Sequence, residues 1–343
     1  MSVSEETLSR MPKFLVSAGE GLYRAGWWGI QQGYSRRLLK THRLAAPVLS
    51  VGNLTWGGTG KTPLVVFLAQ ALRGQGRRVA VLTRGYGGDE QQVLAQRLQE
   101  IPVFVGPDRV ASGHRAIRES GADLLILDDG YQQWRLEKDV EILAVDAAQL
   151  FGNGHLIPRG ILREPPESAA RADIIVLKTV GCIPEQVERA RERVRALNPE
   201  APLFLMDYRP AGLWSWPGGQ AAPALRLKNQ KVCTLAAIGL PTGFESLVSR
   251  MGAQVSVRYR FRDHHIYTAG EMLSAFVRCR RHGVRTIVTT AKDAVRLPRM
   301  LPDAVGPALK GMEIFVLEIE PTFEPNESEL LHRIGSLLAG PRD

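Results

Sequence analysis

Six residues constrain this chain more than any others: Gly57-Gly58-Thr59-Gly60-Lys61-Thr62, which follow the apolar run Pro47–Val51. A strand that empties into a glycine-rich turn ending in Gly-Lys-Thr is built to hold a polyphosphate. The glycines let backbone N–H groups converge on anionic oxygens, Lys61 reaches the outer phosphates, and the Thr62 hydroxyl ligates a magnesium ion. A helix opening near Lys61 adds the positive end of its dipole. The strict pattern asks for glycine five residues before Gly60, where this chain carries Thr55.

The rest of the sequence agrees with such a unit. Strands expected at Val48–Val51, Arg78–Thr83, Val103–Val105, Leu124–Leu127, Glu141–Val145 and Ile174–Leu177 alternate with helices, two of them at about Asp108–Glu119 and Pro184–Leu197. This rhythm predicts a mostly parallel sheet with helices on both faces. Pro210, Pro217, Gly218, Gly219 and Pro223 then break the pattern. Strands and helices resume at Val232–Ile238, Phe244, Val255–Tyr259, Thr268–Arg281, Thr286–Thr290, Ile314–Leu317 and Glu327–Leu338. The expected organisation is an N-terminal amphipathic region (1–44), a P-loop domain (45–210), a linker (211–230) and a smaller α/β domain (231–343).

Composition narrows the class. A chain of 343 residues, 44% hydrophobic and 23% charged, is globular. Three scattered cysteines, Cys182, Cys233 and Cys279, make no Cys-x-x-Cys pair, which argues against a zinc knuckle or a disulfide framework. No secretory signal is visible, and no stretch reaches the ~20 apolar residues of a membrane span. The net charge is +9, and residues 1–50 hold seven Lys and Arg against three Glu. That asymmetry points to an anionic surface. Residues 11–34 read as an amphipathic helix, with Met11, Leu15, Ala18, Leu22 and Ala25 at helical spacing. Tyr23, Trp27, Trp28 and Tyr34 are aromatics suited to headgroup depth, and Arg36, Arg37 and Lys40 follow. No helicase-like motif is present, so nucleic acid is not expected as a partner.

Four further segments carry chemistry. Leu124–Asp129 is an apolar strand ending in two acids, of which Asp128 or Asp129 holds the magnesium. Thr83–Gly88 is a glycine-rich loop beyond a strand's carboxyl end, followed by Asp89-Glu90, where a carboxylate can accept a proton from an attacking hydroxyl. Asp263-His264-His265 offers an imidazole beside a carboxylate. In the stiff loop Pro158–Pro165, Arg163 can neutralise a transferring phosphoryl group and Glu164 can help orient metal or base. Thr290-Ala291-Lys292-Asp293 is reminiscent of a guanine-reading box without its Asn.

Together these segments resemble the tetraacyldisaccharide 4'-kinases, which phosphorylate the lipid A precursor. The resemblance rests on Ser50–Thr55 running into Gly-Gly-Thr-Gly-Lys-Thr-Pro, on Thr83–Gly88, and on Asp128-Asp129-Gly130 followed by Gln132. Phe151-Gly152-Asn153, Pro158–Glu164, Gly239-Leu240-Pro241, Asp263-His264 and Thr289–Ala294 extend it over residues 34–297. It implies a two-domain α/β enzyme using ATP and Mg2+ at the cytoplasmic face of the bacterial inner membrane. The N-terminal helix would lie at the bilayer, the lipid A disaccharide precursor would be the acceptor, and the chain would work as a monomer. It also implies Asp89 as base and His264 as its partner, with Arg163 and Glu164 near the lipid. The ATP set would be Thr55, Gly57, Gly58, Thr59, Gly60, Lys61, Thr62 and Gln132, and the metal set Thr62, Asp128, Asp129 and Glu164. The chain has almost no insertion between Gly88 and Asp89, and Asp108 is the alternative base. A rival reading, a membrane-associated nucleotide switch, needs neither Asp89 nor His264.

Overall fold

The computed structural model describes residues 13–85, 89–263, 265–298 and 311–340. A first half alternates as the sequence predicts: β1 (Val48–Gly52), α2 (Lys61–Gly74), β2 (Val79–Thr83), α3 (Asp89–Arg97), β3 (Val103–Val105), α4 (Arg109–Ser120), β4 (Leu124–Asp128), β5 (Val140–Asp146), β6 (Ile174–Lys178) and α5 (Pro184–Leu197), preceded by α1 (Lys13–Ser35). Its strands run parallel in the order β6-β5-β1-β4-β2-β3. Strands β1, β2, β4, β5 and β6 are buried along their whole length, as continuous apolar runs inside a doubly covered sheet must be.

The first residues of the expected linker, 211–216, are instead part of the sheet. β7 (Leu203–Trp216) pairs parallel with β6 and antiparallel with the twelve-residue β12 (Glu313–Glu324). The breakers that suggest a linker sit where a ribbon tolerates them. The register slips at Glu318/Ile319, opposite Pro210 and Gly212, which is a bulge that accommodates a proline lacking its N–H. Pro217 lies just past the strand end, before the short β8 (Ala221–Ala222).

Beyond this ribbon lie β9 (Lys231–Ala236), α6 (Pro241–Arg250), β10 (Gln254–Arg260), α7 (Ala269–Arg281), β11 (Thr286–Thr290) and the single turn α8 (Ala291–Ala294). They extend the same sheet in the order β12-β11-β9-β10, twelve strands in all among the described residues. The last helix, α9 (Glu327–Leu338), does not close this smaller half. Its Leu330 and Ile334 pack with Leu64, Leu68 and Phe204 in the core of the first half. Phe323 on β12 meets Phe67 on α2 at 4.9 Å between ring centroids. The two halves are therefore tied by a long ribbon and a returning helix.

Helix α1 forms as expected, but its aromatics divide differently. Tyr23, Trp27 and Tyr34 face the protein, and Tyr34 stacks on Trp134 at 6.3 Å. Glu20 is the buried anchor, accepting from the Leu156 amide at 3.1 Å and meeting His155 Nδ1 at 3.1 Å. The outward face carries Phe14 (71% exposed), Leu22 (77%) and Trp28 (56%). Among the described residues no helix is long and apolar enough to cross a membrane.

Candidate active site

The glycine loop sits where β1 ends and α2 begins. Gly57 (φ +121°) and Gly60 (φ +85°) take conformations other residues avoid. A Cβ on Gly60 would also lie 2.6 Å from the Tyr208 hydroxyl and 2.8 Å from Met206 Cε. Thr55, standing where the strict pattern has glycine, is not among the positive-φ residues, so glycine is not required there. It forms a bridge with Leu162 instead. With Trp56 N–H donating to Ile161 O at 2.7 Å and Arg163 N–H to Leu54 O at 2.7 Å, the 158–164 loop is laced to the entry of the glycine loop. Thr55 and Thr59 are buried. Asn53 Nδ2 donates to Thr55 O at 2.8 Å and to Thr59 Oγ1 at 3.0 Å. Of the two threonines, only Thr59 lines the cleft.

Asp129 is the hub of the mouth. It is a non-glycine residue at φ +54°, and this backbone turns its carboxylate toward the loop. Lys61 Nζ lies 3.4 Å from its Oδ1, and Arg163 grips it two-pronged at 2.8 and 2.9 Å. Burial raises its pKa, but the Lys61 and Arg163 charges outweigh that and hold it well below the usual carboxylate range. Asp128 next to it is buried and accepts from Thr83 Oγ1 at 3.1 Å. Two adjacent acids thus take different tasks: one faces the cations of the mouth, the other faces the β2 end, where the second glycine loop starts.

Thr62 lies at the start of α2 and lines the cleft. A magnesium held largely by phosphate oxygens and water would ask for only one or two protein oxygens, of which Thr62, Asp128 and Asp129 are the candidates. No group of three or more His, Cys, Asp or Glu that could cage a metal exists among the described residues.

Glu164 does not join that set here. It is fully buried, and its oxygens accept from Arg171 at 2.7 and 3.0 Å and from Gln132 Nε2 at 2.9 Å. Arg171 in turn lies over Tyr131 at 3.7 Å and Trp134 at 4.5 Å. A carboxylate so enclosed acts as a strut, its oxygens taken up by Arg171 and Gln132. Gln132 likewise braces the site, donating to Asn53 O at 3.0 Å. Asp108, the alternative base, caps α4 through the Val110 and Ala111 amides at 3.0 and 3.1 Å. The Ala111 amide bond heads the causes that lower its pKa, and Arg135 adds to them. It serves the helix rather than the cleft.

Asp89 opens α3, but its side chain and that of Glu90 lie outside the described residues, as do Tyr86–Gly88 and His264. Their neighbours are placed. Gly239, before α6, rests on the glycine loop: a Cβ there would be 3.1 Å from Gly58 N and 3.7 Å from Asp263 Oδ2. Asp263 pairs with Lys292 at 3.4 Å. His265 is taken by the α7 cap, meeting Glu271 Oε2 at 3.0 Å and stacking on Phe261 at 4.6 Å.

Two residues singled out by no expectation belong to this neighbourhood. Arg109 is buried and feels the charges of Asp128 and Asp129, while burial leads in lowering its pKa. Its only sequence signal is its place beside the Asp108 cap. Asn53, buried just before the loop, ties Thr55, Thr59 and Arg163 together. A cleft of about 540 Å³ opens from the glycine loop between the two halves, with Val66, Phe67, Ile238, Leu240, Phe244 and Leu317 among its apolar walls. That volume suits a nucleotide-sized or partly apolar ligand.

Comparison with known proteins agrees with this geometry. The family model described as tetraacyldisaccharide-1-P 4'-kinase matches residues 13–94 and 87–338. The chain is 37% identical over 304 residues to a tetraacyldisaccharide 4'-kinase of Anaeromyxobacter dehalogenans, covering 82% of this chain and 80% of that one. It is 39% identical over 301 residues to that of Syntrophobacter fumaroxidans, covering 81% and 78%. Its fold is similar to the crystal structure of LpxK from Aquifex aeolicus in complex with ATP, with a TM-score of 0.68 and 26% identity, covering 94% of this chain and 98% of the other.

Proposed function

Since this chain belongs to the tetraacyldisaccharide 4'-kinase family, we propose that it transfers the γ-phosphate of ATP to the 4'-hydroxyl of a tetraacyldisaccharide 1-phosphate. The observation that carries this reading is the shared grip of Lys61 and Arg163 on Asp129 at the mouth of the glycine loop. Two cations held ready beside an anion-binding turn are the equipment phosphoryl transfer needs, because its acceleration comes mainly from positioning and charge neutralisation.

In this reading Lys61 and the loop amides take the phosphates, and Arg163 turns from Asp129 toward the transferring group. Magnesium bound near Thr62 and Asp128 would neutralise charge between the outer phosphates. Asp89 accepts the proton of the sugar hydroxyl. Its place at the first residue of α3 favours the ionised form, since a helix N-terminus stabilises an anion. His264 orients it from the other half. That role is supported by its neighbour Asp263, which lies next to Gly239 at the loop. The outward apolar face of α1, with the exposed Arg36, Arg37 and Lys40 after it, lays the enzyme on the cytoplasmic leaflet where the acyl chains reside.

The test is transfer of labelled γ-phosphate to purified acceptor in detergent. Asp89→Ala should remove the activity and His264→Ala should lower it by about 10². Phosphate transfer that survives in Asp89→Ala would reject the base assignment. ATP consumption that ignores the acceptor would reject the kinase reading in favour of a switch.

A further inference from the structure

A buried ion pair lies under the glycine loop, and neither the sequence motifs nor the mechanism above uses it. Lys178 and Asp146 are the last residues of the neighbouring parallel strands β6 and β5, in register with each other. They are 7% and 2% exposed. The Lys178 ammonium pairs with Asp146 Oδ2. It also donates to Gly58 O at 2.5 Å, across 120 residues of sequence. Asp146 cannot swing away, because its Oδ1 accepts from the Ala148 amide at 2.9 Å. The lysine stem fills the floor of the loop: its Cδ lies 3.2 Å from where a Cβ on Gly60 would be.

Taking an ammonium and a carboxylate out of water costs several kcal/mol per ion, so a pair kept here is weak evidence for stability alone. What it does fix is one peptide plane. The Gly58 carbonyl is pulled inward, toward the sheet. A trans peptide is planar, with N–H and C=O on opposite edges. The Thr59 N–H therefore points to the other edge, the side on which such loops receive anions. That N–H now donates to Gly57 O at 3.0 Å, a three-residue turn contact that a phosphate oxygen could replace.

We infer that Lys178, held by Asp146, is a positioning residue for the kinase reaction: it presets the glycine loop so that its amides meet the ATP phosphates without rearrangement. Preorganisation of this sort shows itself as affinity, because the loop no longer has to be ordered on binding. Lys178 is bound to the floor of the loop through Gly58 O, so acting through the loop its effect should fall on ATP rather than on the acceptor.

The inference rests on ATP occupying the loop, and the experiment separates the two ideas. Steady-state kinetics are measured for wild type, Lys178→Met, Asp146→Asn and Lys61→Met, along with the rise in melting temperature that MgATP produces. Lys178→Met should raise KM for ATP at least tenfold, leave KM for the lipid acceptor within twofold, and need about tenfold more MgATP for half the melting shift. Asp146→Asn, which leaves the lysine unpaired but in reach of Gly58 O, should raise KM for ATP about threefold. It also serves as the readout if Lys178→Met does not fold. An unchanged KM for ATP in the variants that fold overturns the inference. So does an equal rise in both KM values accompanied by a lower melting temperature without nucleotide, which would mark a purely structural pair. If Lys61→Met also leaves ATP binding intact, it is the placing of ATP on this loop that fails.

Discussion

Two strand-to-helix corners of this molecule read alike and do opposite things. At one, β1 runs through Gly-Thr-Gly-Lys-Thr into α2; at the other, β11 runs through Thr-Ala-Lys-Asp into α8. Each has a threonine, a lysine and a partner aspartate. In the first corner Asp129 is 41% exposed and shared by two cations, Arg163 and the cleft-lining Lys61. In the second Asp293 is fully buried and used up internally. It accepts from the Ala237 amide at 3.0 Å, from the Tyr267 hydroxyl at 3.0 Å and from Thr290 Oγ1 at 2.7 Å. Their pKa values move in opposite directions. The cations beside Asp129 prevail over burial and lower it, whereas burial raises Asp293 despite its hydrogen bonds. Thr290 and Lys292 of the second corner line the same cleft as the glycine loop, so the difference lies in the aspartates: one is shared by two cations, the other is spent on internal donors.

The largest expected effect tests that contrast directly. Lys61→Met and Arg163→Met each remove a cation from the open corner and should lower kcat by about 10² to 10³, and Arg163→Met should also cost some stability because buried Asn53 loses a donor. Asp293→Ala should do the reverse. It leaves three donors without their acceptor in a buried joint, costing about 3 kcal/mol in denaturant unfolding while kcat, measured well below the midpoint, stays within threefold. A large loss of kcat from Asp293→Ala at unchanged stability would mean that the second corner is also a working site.

A smaller effect separates the corners by pH. Asp129 has a folded pKa below its unfolded value near 3.9. Its contribution is therefore complete above about pH 4 and is lost only as pH falls further. Asp293 has a folded pKa above its unfolded value. The folded chain then binds the extra proton, so this residue's contribution improves as pH falls through its folded pKa toward the unfolded value near 3.9. Melting temperatures across pH 4–7 should show this acid-side gain in wild type and in Asp129→Asn, and a flatter profile in Asp293→Asn. An identical slope in Asp293→Asn would show that the buried carboxyl does not titrate in that window.

How much of this could be read beforehand follows from where the information lies. The parallel first half was legible because each strand is a short apolar run and the glycine loop fixes its place; β3, α5 and β11 fall on the expected residues. Lys61, Thr62, Asp128, Asp129 and Arg163 could be singled out because each is bound to a motif, and the structure brings Lys61, Asp129 and Arg163 together. The β7/β12 ribbon was not, because an antiparallel ribbon with a bulge can carry Pro210 and Gly212, which elsewhere mean a linker. The strut role of Glu164 was hidden too: its partner Arg171 carries no motif, and only the packing of Tyr131 and Trp134 brings it near. Asp146 and Lys178 were invisible for the same reason. A pair formed across two strand ends leaves no spacing rule in the sequence.

The finest distinction between the corners rests on two tyrosine hydroxyls. Tyr23 on α1 donates to the Arg163 carbonyl at 2.8 Å, and Tyr267 donates to Asp293 at 3.0 Å. Each bond is worth about 1 kcal/mol. In Tyr23→Phe the lost bond loosens the loop that carries Arg163, so the cost should fall on the transition state: kcat lower by about threefold, melting temperature nearly unchanged. In Tyr267→Phe the donor is missing from a closed joint, so the melting temperature should drop by a few degrees with kcat intact. The pair is informative because the chemical change is identical and only the surroundings differ. If both variants lose stability and keep activity, helix α1 is merely stapled to the phosphate corner. If Tyr23→Phe alone slows turnover, the helix proposed to lie on the bilayer also tunes Arg163.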